Sequence, residues 1–346
     1  MSDDLPPPDP SAPKPDINSV GLTDRFQRRL NYLRVSITDR CNLRCLYCDT
    51  RPREQIMPCE EILRFEEILA VIKAGIGLGI EKVRITGGEP LVRRGILDLL
   101  NQISDLQGLK DISLTTNGVL LEKFLLELQQ TRISRLNISL DSLIPAQFKQ
   151  ITGEDVFKRV WHGIMGALEA GFSPIKINMV VMSGINDNEI TDFARLTLSY
   201  PLEIRFIEYM PIGGNRVSDA RPILGDEILA RIKTIAPLMP LSTGGRLDGP
   251  AERFQFSGAP GIIGLIRPIS HHFCSQCNRL RLTAAGALRS CLLSENTVDI
   301  KTALRNGATY TELQKILLTA ARTKPQHHDL ADHAPALKTL MSAIGG

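Results

Sequence analysis

Leu33-Arg34-Val35-Ser36-Ile37-Thr38-Asp39-Arg40-Cys41-Asn42-Leu43-Arg44-Cys45-Leu46-Tyr47-Cys48 carries two patterns in succession. In the first six residues, Leu33, Val35 and Ile37 alternate with Arg34, Ser36 and Thr38. Side chains alternate faces along a strand, so Leu33–Thr38 is expected to form a strand with one apolar and one polar face. Cys41, Cys45 and Cys48 follow at once, spaced C-x3-C-x2-C. Iron–sulfur clusters are held by thiolates, and a cubane normally takes about four. Three ligands leave one iron open to a small molecule. Two other readings fit the spacing. One is the face of an amphipathic helix. The other is a zinc site, although three ligands do not close tetrahedral zinc.

The alternation recurs downstream. Further strands are expected at Lys82–Thr86, Asp111–Thr115, Arg135–Leu140, Ile175–Val181 and Glu203–Met210, with amphipathic stretches such as Glu60–Ala74 and Phe157–Ala170 between them. Strands alternating with helices predict a parallel sheet covered by helices. Six units fall short of the about eight of a closed barrel, so the fold class is α/β, an open six-stranded (β/α) partial TIM barrel. Helices must cover the apolar faces, which turns Arg34, Lys82, Arg84, Asn137, Ser139 and Lys176 toward the inside of the curve. A closed barrel fills that space with branched apolar residues. Charge and hydroxyls there suit an open barrel around a polar ligand.

After Pro211 the pattern changes. A helix is expected over Pro222–Ile235, short strands over Arg253–Ser257, Gly261–Arg267 and Arg279–Thr283, and helices around Val298–Leu304 and Tyr310–Ala321. This predicts a smaller α+β domain over 212–346, after a barrel over 26–211 and a disordered Pro-rich tail over 1–25. The second domain holds Cys274, Cys277 and Cys291, spaced C-x2-C-x13-C. Zinc ribbons also begin C-x2-C, and His271 or His272 could supply a fourth ligand. Arg279 and Arg281 share a strand face, either at a solvated edge or as a pair of guanidiniums for an oxyanion. Cys59, far from both sets, is expected to be a small core residue.

The totals limit the remaining classes. The chain has 346 residues, 43% of them apolar, enough for a sizeable core. No apolar run approaches the ~20 residues that span a bilayer, and Met1-Ser2-Asp3-Asp4 begins an acidic, proline-rich stretch unlike a secretory signal. A cytoplasmic protein without membrane partners is expected. Net charge is +3, from 41 basic and 38 acidic residues, so charge does not point to nucleic acid. Seven cysteines in two clusters of three, with one apart, suit metal thiolates in a reducing compartment better than disulfides.

The first cysteine motif, with the aromatic Tyr47 before its third cysteine, resembles that of the radical S-adenosylmethionine (SAM) superfamily. Gly87-Gly88-Glu89-Pro90, after the second strand, resembles that family's SAM-amino-group motif. The further set narrows the resemblance to the molybdenum cofactor biosynthesis protein A family of GTP 3′,8-cyclases, over Phe26 to the C-terminus. It comprises Arg34, Thr115-Thr116-Asn117-Gly118, Ser139-Leu140-Asp141-Ser142, Phe206-Ile207-Glu208-Tyr209-Met210-Pro211, both cysteine spacings, Arg279-x-Arg281 and the terminal Gly345-Gly346.

The resemblance implies two [4Fe-4S] clusters on Cys41, Cys45, Cys48 and on Cys274, Cys277, Cys291. It implies SAM on the first, lined by Tyr47, Gly88, Ser139 and Met210. GTP would lie on the second, against Arg34, Arg84, Thr115, Lys176, Arg279, Leu280 and Arg281, with Lys82 and Arg205 as further triphosphate ligands. Arg34, Arg279, Arg281, Gly345 and Gly346 would serve catalysis, the tail entering the active site and helping to order arginines such as Arg34. A deoxyadenosyl radical would take hydrogen from C3′ of the ribose, and C3′ would then bond to C8 of guanine. Implied partners are an electron donor of flavodoxin or ferredoxin type and the next enzyme, which makes cyclic pyranopterin monophosphate; a homodimer is left open. Charge-assisted hydrogen bonds contribute roughly 1.5–3 kcal/mol each, so several cations would hold a triphosphate despite the small net charge. Each lone Lys or Arg otherwise reads as a solvated surface group.

Two rivals remain. Radical SAM enzymes acting on peptides also carry auxiliary clusters, usually on more C-terminal cysteines. A zinc-stabilised nucleic-acid-binding protein is disfavoured by the balanced charge and the lack of an aromatic-basic face.

Overall fold

The computed structural model describes residues 21–48, 56–212, 217, 221–242, 249–328 and 341–345. The N-terminal two thirds run β1 (Tyr32–Ser36), α1 (Phe65–Gly77), β2 (Lys82–Thr86), α2 (Ile96–Ser104), β3 (Asp111–Thr116), α3 (Leu121–Gln129), β4 (Arg135–Ser139), α4 (Pro145–Thr152), α5 (Phe157–Glu169), β5 (Ile175–Val181), α6 (Ile190–Ser199) and β6 (Leu202–Glu208). All six strands pair in parallel, in chain order, as the alternation predicts. Leu33, Val35, Val83, Ile85, Leu136, Ile138 and Ile175 are fully buried in the helix-covered core.

The rest adds α7 (Gly225–Lys233), β7 (Leu238–Leu241), β8 (Glu252–Phe256), β9 (Ile262–Ile266), β10 (Arg279–Leu282), β11 (Ala287–Arg289), β12 (Val298–Asp299), α8 (Lys301–Arg305), α9 (Tyr310–Arg322) and the short α10 (Met341–Ile344). Its strands do not form a separate sheet. β9 pairs in parallel with β6, and β10 pairs in parallel with β1. The result is one twelve-stranded sheet, ordered β12-β11-β10-β1-β2-β3-β4-β5-β6-β9-β8-β7, whose central eight strands, β10 through β9, are parallel. Among the described residues no ladder joins β7 to β12, so the barrel is open.

Four expectations need correction. Residues 1–20 lie outside the described residues, but Gly21–Asp24 is packed and not a loose tail, with Arg25 exposed after it. Leu22 is fully buried, and its N–H donates to Leu78 O at 2.8 Å. The stretch from Glu60 is not helical until Phe65. Leu63 N–H is taken by Ala284 O at 2.9 Å, and the Glu67 carboxylate accepts Arg64 N–H at 2.7 Å, fixing the helix start. Cys59 is exposed at the start of a short 3-10 turn, where its Sγ accepts from Arg40 Nη2 at 2.9 Å. The stretch Val298–Leu304 begins as β12, because Leu288 pairs with Val298, and Asp299 Oδ1 then accepts Lys301 N–H at 3.0 Å to open α8.

Candidate active site

The first cysteine loop leaves the C-terminal end of β1 and is held by the loops after β2 and β3. Gly88 N–H donates to Thr38 O at 2.7 Å and Glu89 N–H to Arg40 O at 2.8 Å. A Cβ on Gly88 would stand 2.3 Å from Arg40 O, and one on Gly87 2.6 Å from Thr38 O. These glycines are thus required by close approach to the chain's own backbone, before any ligand is considered. Glu89 is fully buried and accepts from Leu91 N, Thr116 Oγ1 and Asn117 N at 3.0, 2.8 and 2.6 Å. Burial pushes its carboxyl up to about 7 despite these donors. Asn117 Nδ2 in turn reaches Asn42 Oδ1 at 2.8 Å and Cys41 Sγ at 3.6 Å. Tyr47 donates to Asp141 Oδ2 at 2.8 Å, and Asp141 Oδ1 accepts Val180 N–H at 2.8 Å. Ser139 closes β4 and Met210 lies just beyond β6, at the same C-terminal ends.

The donor set fits a cluster. Burial raises Cys41 to about 11 and Cys45 well above an ordinary thiol, with Cys48 and Cys41 themselves among the charges that oppose ionisation of Cys45. Half-buried thiols that resist ionisation in the bare protein become thiolates when a metal displaces the proton. The loop carries three sulfurs close enough to feel one another.

Between the strands lies a row of cations. The register sets Arg281 beside Arg34, Arg34 beside Arg84, Arg84 beside Ser113 and Ser113 beside Arg135; one row nearer the N-terminal end come Arg279, Tyr32, Lys82 and Asp111. Arg84, Lys82, Lys176, Arg205 and Arg281 are all buried. Buried charge requires partners. Lys82 pairs with Asp111 at 2.8 Å, and Arg135 pairs with the same carboxylate. Glu203 pairs with Arg205 at 2.6 Å and Lys176 at 3.5 Å. Tyr32 sits among the rest, its ring centroid 4.9 Å from Lys82 Nζ and 5.6 and 5.7 Å from the guanidinium carbons of Arg84 and Arg34. Arg34 Nε also donates to its hydroxyl at 3.2 Å.

Cations still outnumber anions, and the pKa values record it. Burial pulls Lys82 down to about 7, with Arg84, Arg135 and Arg205 adding to the effect against Tyr32. Burial and Arg205 bring Lys176 to about 7. Burial opposes ionisation of Tyr32, yet Arg34, Arg84 and Lys82 outweigh it and lower the phenol to about 7. Thr115 Oγ1 and Asn137 Oδ1, neighbours across β3 and β4, are buried with no hydrogen-bond partner among the described residues. An excess of buried positive charge beside unmet polar atoms fits a polyanionic, hydrogen-bonding ligand. Leu280 does not share this face. It pairs with Leu33, and its side chain is fully buried in the helix-covered core, so any contact from this residue would come from its backbone.

The second cysteine set lies at the opposite end of the same strands. Cys277 precedes β10, which runs parallel to β1, and Cys291 follows the antiparallel β11. Burial opposes ionisation of Cys277, but Arg279 and Lys324 overcome it and bring the thiol down to about 6. Cys277 and Cys291 are both close enough to Cys274 to raise its thiol, after burial, by their charge. Arg279 stacks over Phe273, 4.8 Å from its centroid. The C-terminal tail enters between the two ends. Gly345 O accepts from Arg281 Nη1 at 2.7 Å, and a Cβ on Gly345 would meet Thr86 Cγ2 at 2.7 Å and Ser36 Cβ at 3.0 Å. Among the described residues the arginine that the tail contacts is Arg281, and Arg34 Nε donates to Tyr32. Gly346 lies outside the described residues.

Residues 35–197 match the Radical SAM superfamily, and residues 202–330 match Molybdenum Cofactor Synthesis C. The chain is 46% identical to the GTP 3′,8-cyclase of Thermodesulfovibrio yellowstonii, over 94% of this chain and 100% of that protein. It is 45% identical to the GTP 3′,8-cyclase of Moorella thermoacetica, with the same coverage. This chain belongs to the GTP 3′,8-cyclase family. Among solved structures, SuiB of Streptococcus suis shares its fold, with TM-score 0.60 and 16% identity over 86% of this chain and 66% of that one. Native anSMEcpe with bound AdoMet does so at TM-score 0.58 and 16% identity, over 86% and 82%.

For a GTP 3′,8-cyclase family member, the sequence motifs leave out four buried groups that shape the site: Tyr32, Asp111, Glu203 and Lys324. The first three were legible as inward positions by strand parity. Tyr32 lies just before the expected strand start, and the two carboxylates look like ordinary strand-edge residues. Lys324 has no local signal at all. Among the described residues no helix is long and apolar enough to cross a membrane.

Proposed function

We propose that this chain converts GTP to (8S)-3′,8-cyclo-7,8-dihydroguanosine 5′-triphosphate, the first step of molybdenum cofactor biosynthesis. One observation carries the reading: two three-cysteine sets stand at opposite ends of the paired strands β1 and β10, with a buried, cation-rich cradle between them. Cys41, Cys45 and Cys48 would hold one [4Fe-4S] cluster, and Cys274, Cys277 and Cys291 the other. When bound, the first cluster and SAM supply a 5′-deoxyadenosyl radical. Tyr47, Gly88, Ser139 and Met210, at the C-terminal ends of the strands, would line SAM. Arg34, Lys82, Arg84, Lys176, Arg205, Arg279 and Arg281 would hold the triphosphate, with Thr115 accepting or donating a hydrogen bond and Leu280 offering its backbone. Their common task is orientation: C3′ of the ribose must face the SAM end and C8 of guanine must lie against C3′. Burial of the cradle excludes water from the reacting ribose.

Deuterium placed at C3′ of GTP is expected in 5′-deoxyadenosine after one turnover of the reduced, SAM-loaded enzyme, as read by mass spectrometry. Transfer from another ribose carbon, or product without transfer, would overturn the assignment. We read the reductant as a flavodoxin- or ferredoxin-type protein, the consumer of the product as the enzyme making cyclic pyranopterin monophosphate, and the compartment as the cytoplasm. A homodimer is compatible with this reading.

The cradle also predicts a pH dependence. In the empty site Lys82 and Lys176 titrate at about 7. A bound triphosphate favours their charged forms and so raises both values. Affinity is then fully present below pH 7 and declines as pH rises through the free-state values. Each lysine that must regain its proton contributes up to about tenfold per pH unit. Calorimetry in buffers of different ionisation heat should therefore show proton uptake on GTP binding above pH 7. Zero uptake there would show that the lysines are already charged in the empty cradle.

A further inference from the structure

The segment Lys324–His328, which follows α9, wraps the second cysteine set. Lys324 is only 2% exposed. Its Nζ donates to Arg279 O at 2.9 Å and to Ser290 O at 2.6 Å, and it also hydrogen-bonds the Cys277 thiol. Arg279 lies two residues past Cys277, and Ser290 immediately precedes Cys291. One ammonium thus joins the two chain segments that bring Cys277 and Cys291 together. At the other end of the segment, the His328 backbone N–H hydrogen-bonds the Cys274 thiol, and the His328 ring meets Pro268 O at 2.8 Å. Arg28 Nη1 reaches both Cys274 O at 2.7 Å and Gln326 O at 3.0 Å. All three cysteines are therefore tied, directly or through a neighbour, to five consecutive residues.

A purely structural staple would explain the carbonyl contacts, since a lysine can close α9 against the sheet. It does not explain why an ammonium is buried against a thiol with two neutral carbonyls as its other partners. Burying that charge is unfavourable unless a negative group compensates it. Thiolates bound to iron supply that charge. Hydrogen bonds to cluster sulfurs and nearby positive charge also stabilise the more negative, reduced state and raise the reduction potential.

We propose that Lys324–His328 is a strap that positions the ligands of the second cluster and, through Lys324, sets that cluster's reduction potential. This rests on reading Cys274, Cys277 and Cys291 as a cluster site. Lys324 is a positioning residue, and because its Nζ also holds Arg279 O, it fixes the start of β10, which bears Arg279 and Arg281.

The test uses the full chain with Cys41, Cys45 and Cys48 replaced by alanine, anaerobically reconstituted, so that only the second cluster remains. Iron content and an EPR-monitored redox titration are compared for this parent, Lys324→Gln and Lys324→Met. Glutamine keeps N–H donors for the carbonyls without the charge; methionine keeps neither. The expected result is a more negative midpoint in Lys324→Gln with iron retained, and in Lys324→Met the same shift or loss of the cluster. Iron lost from both variants, with the helical circular dichroism of the parent, would establish the positioning part. Both variants with the parent's iron and midpoint would overturn the strap while leaving the cluster reading intact. A parent without iron would overturn the cluster reading itself, and the strap with it.

Discussion

Replacing Cys41, Cys45 and Cys48 together with alanine is expected to abolish turnover and SAM cleavage while leaving about half of the iron. At ~4 irons per cluster the loaded chain holds about eight. The fold should persist, because the loop's anchors are not the thiols. Gly88 N–H to Thr38 O, Glu89 N–H to Arg40 O and the Glu89 bonds to Thr116 and Asn117 all remain. Removing the half-buried thiols Cys41 and Cys45 also removes groups that desolvation already disfavours as free anions. The reciprocal change at Cys274, Cys277 and Cys291 should leave the other half of the iron and permit reductive SAM cleavage without cyclised product. Iron analysis, 5′-deoxyadenosine and product measured on the same samples decide the matter. Stoichiometric zinc with negligible iron in the unaltered protein would refute both clusters.

Gly345→Ala is expected to lower turnover by about 100-fold, the scale on which a displacement of about 1 Å costs rate. Two effects act together. Gly345 has φ +79, which an alanine adopts only under strain. Its new Cβ would also collide with Thr86 and Ser36 at the ends of β2 and β1. The tail must then withdraw, and Arg281 Nη1 loses the Gly345 carbonyl. Burial, and then Arg34 and Arg279 close by, disfavour the charge of Arg281, so without that acceptor its guanidinium has reason to swing. Both cysteine sets lie outside the contact, so iron content should match the parent. Deleting Gly345 and Gly346 should give the same pattern. Full turnover in an iron-loaded truncation would show that the tail end has no catalytic part.

The strands were legible because each carries its own two-residue period. Lys82–Thr86 and Ile175–Val181 fall where the alternation places them, and their inward cations follow from parity alone. The cysteine sets were legible because three soft ligands within a few residues have few other uses. What stayed hidden depends on partners distant in sequence. Nothing around Arg279 signals that β10 will lie against β1, and nothing around Lys324 signals that its ammonium will meet Cys277. Tyr32 stands at the edge of its strand pattern and gains its character from Arg34 on its own strand together with Arg84 and Lys82 on β2. Cys59 reads as a core residue because a small thiol suits a core, whereas Arg40 offers it a polar contact at the surface.

The pairing of β10 with β1 bears on how the molecule is made. The first strand to leave the ribosome lacks its second neighbour until residue 282 has been synthesised, and β6 lacks its own until residue 266. The intervening nascent chain has two open strand edges, the kind of surface that recruits other chains. It also leaves the first cysteine loop beside an unfinished wall. Chain termination before residue 282 thus does more than delete a cluster site: it leaves an open strand edge on β1, which makes such truncations candidates for aggregation and proteolysis instead of partial activity.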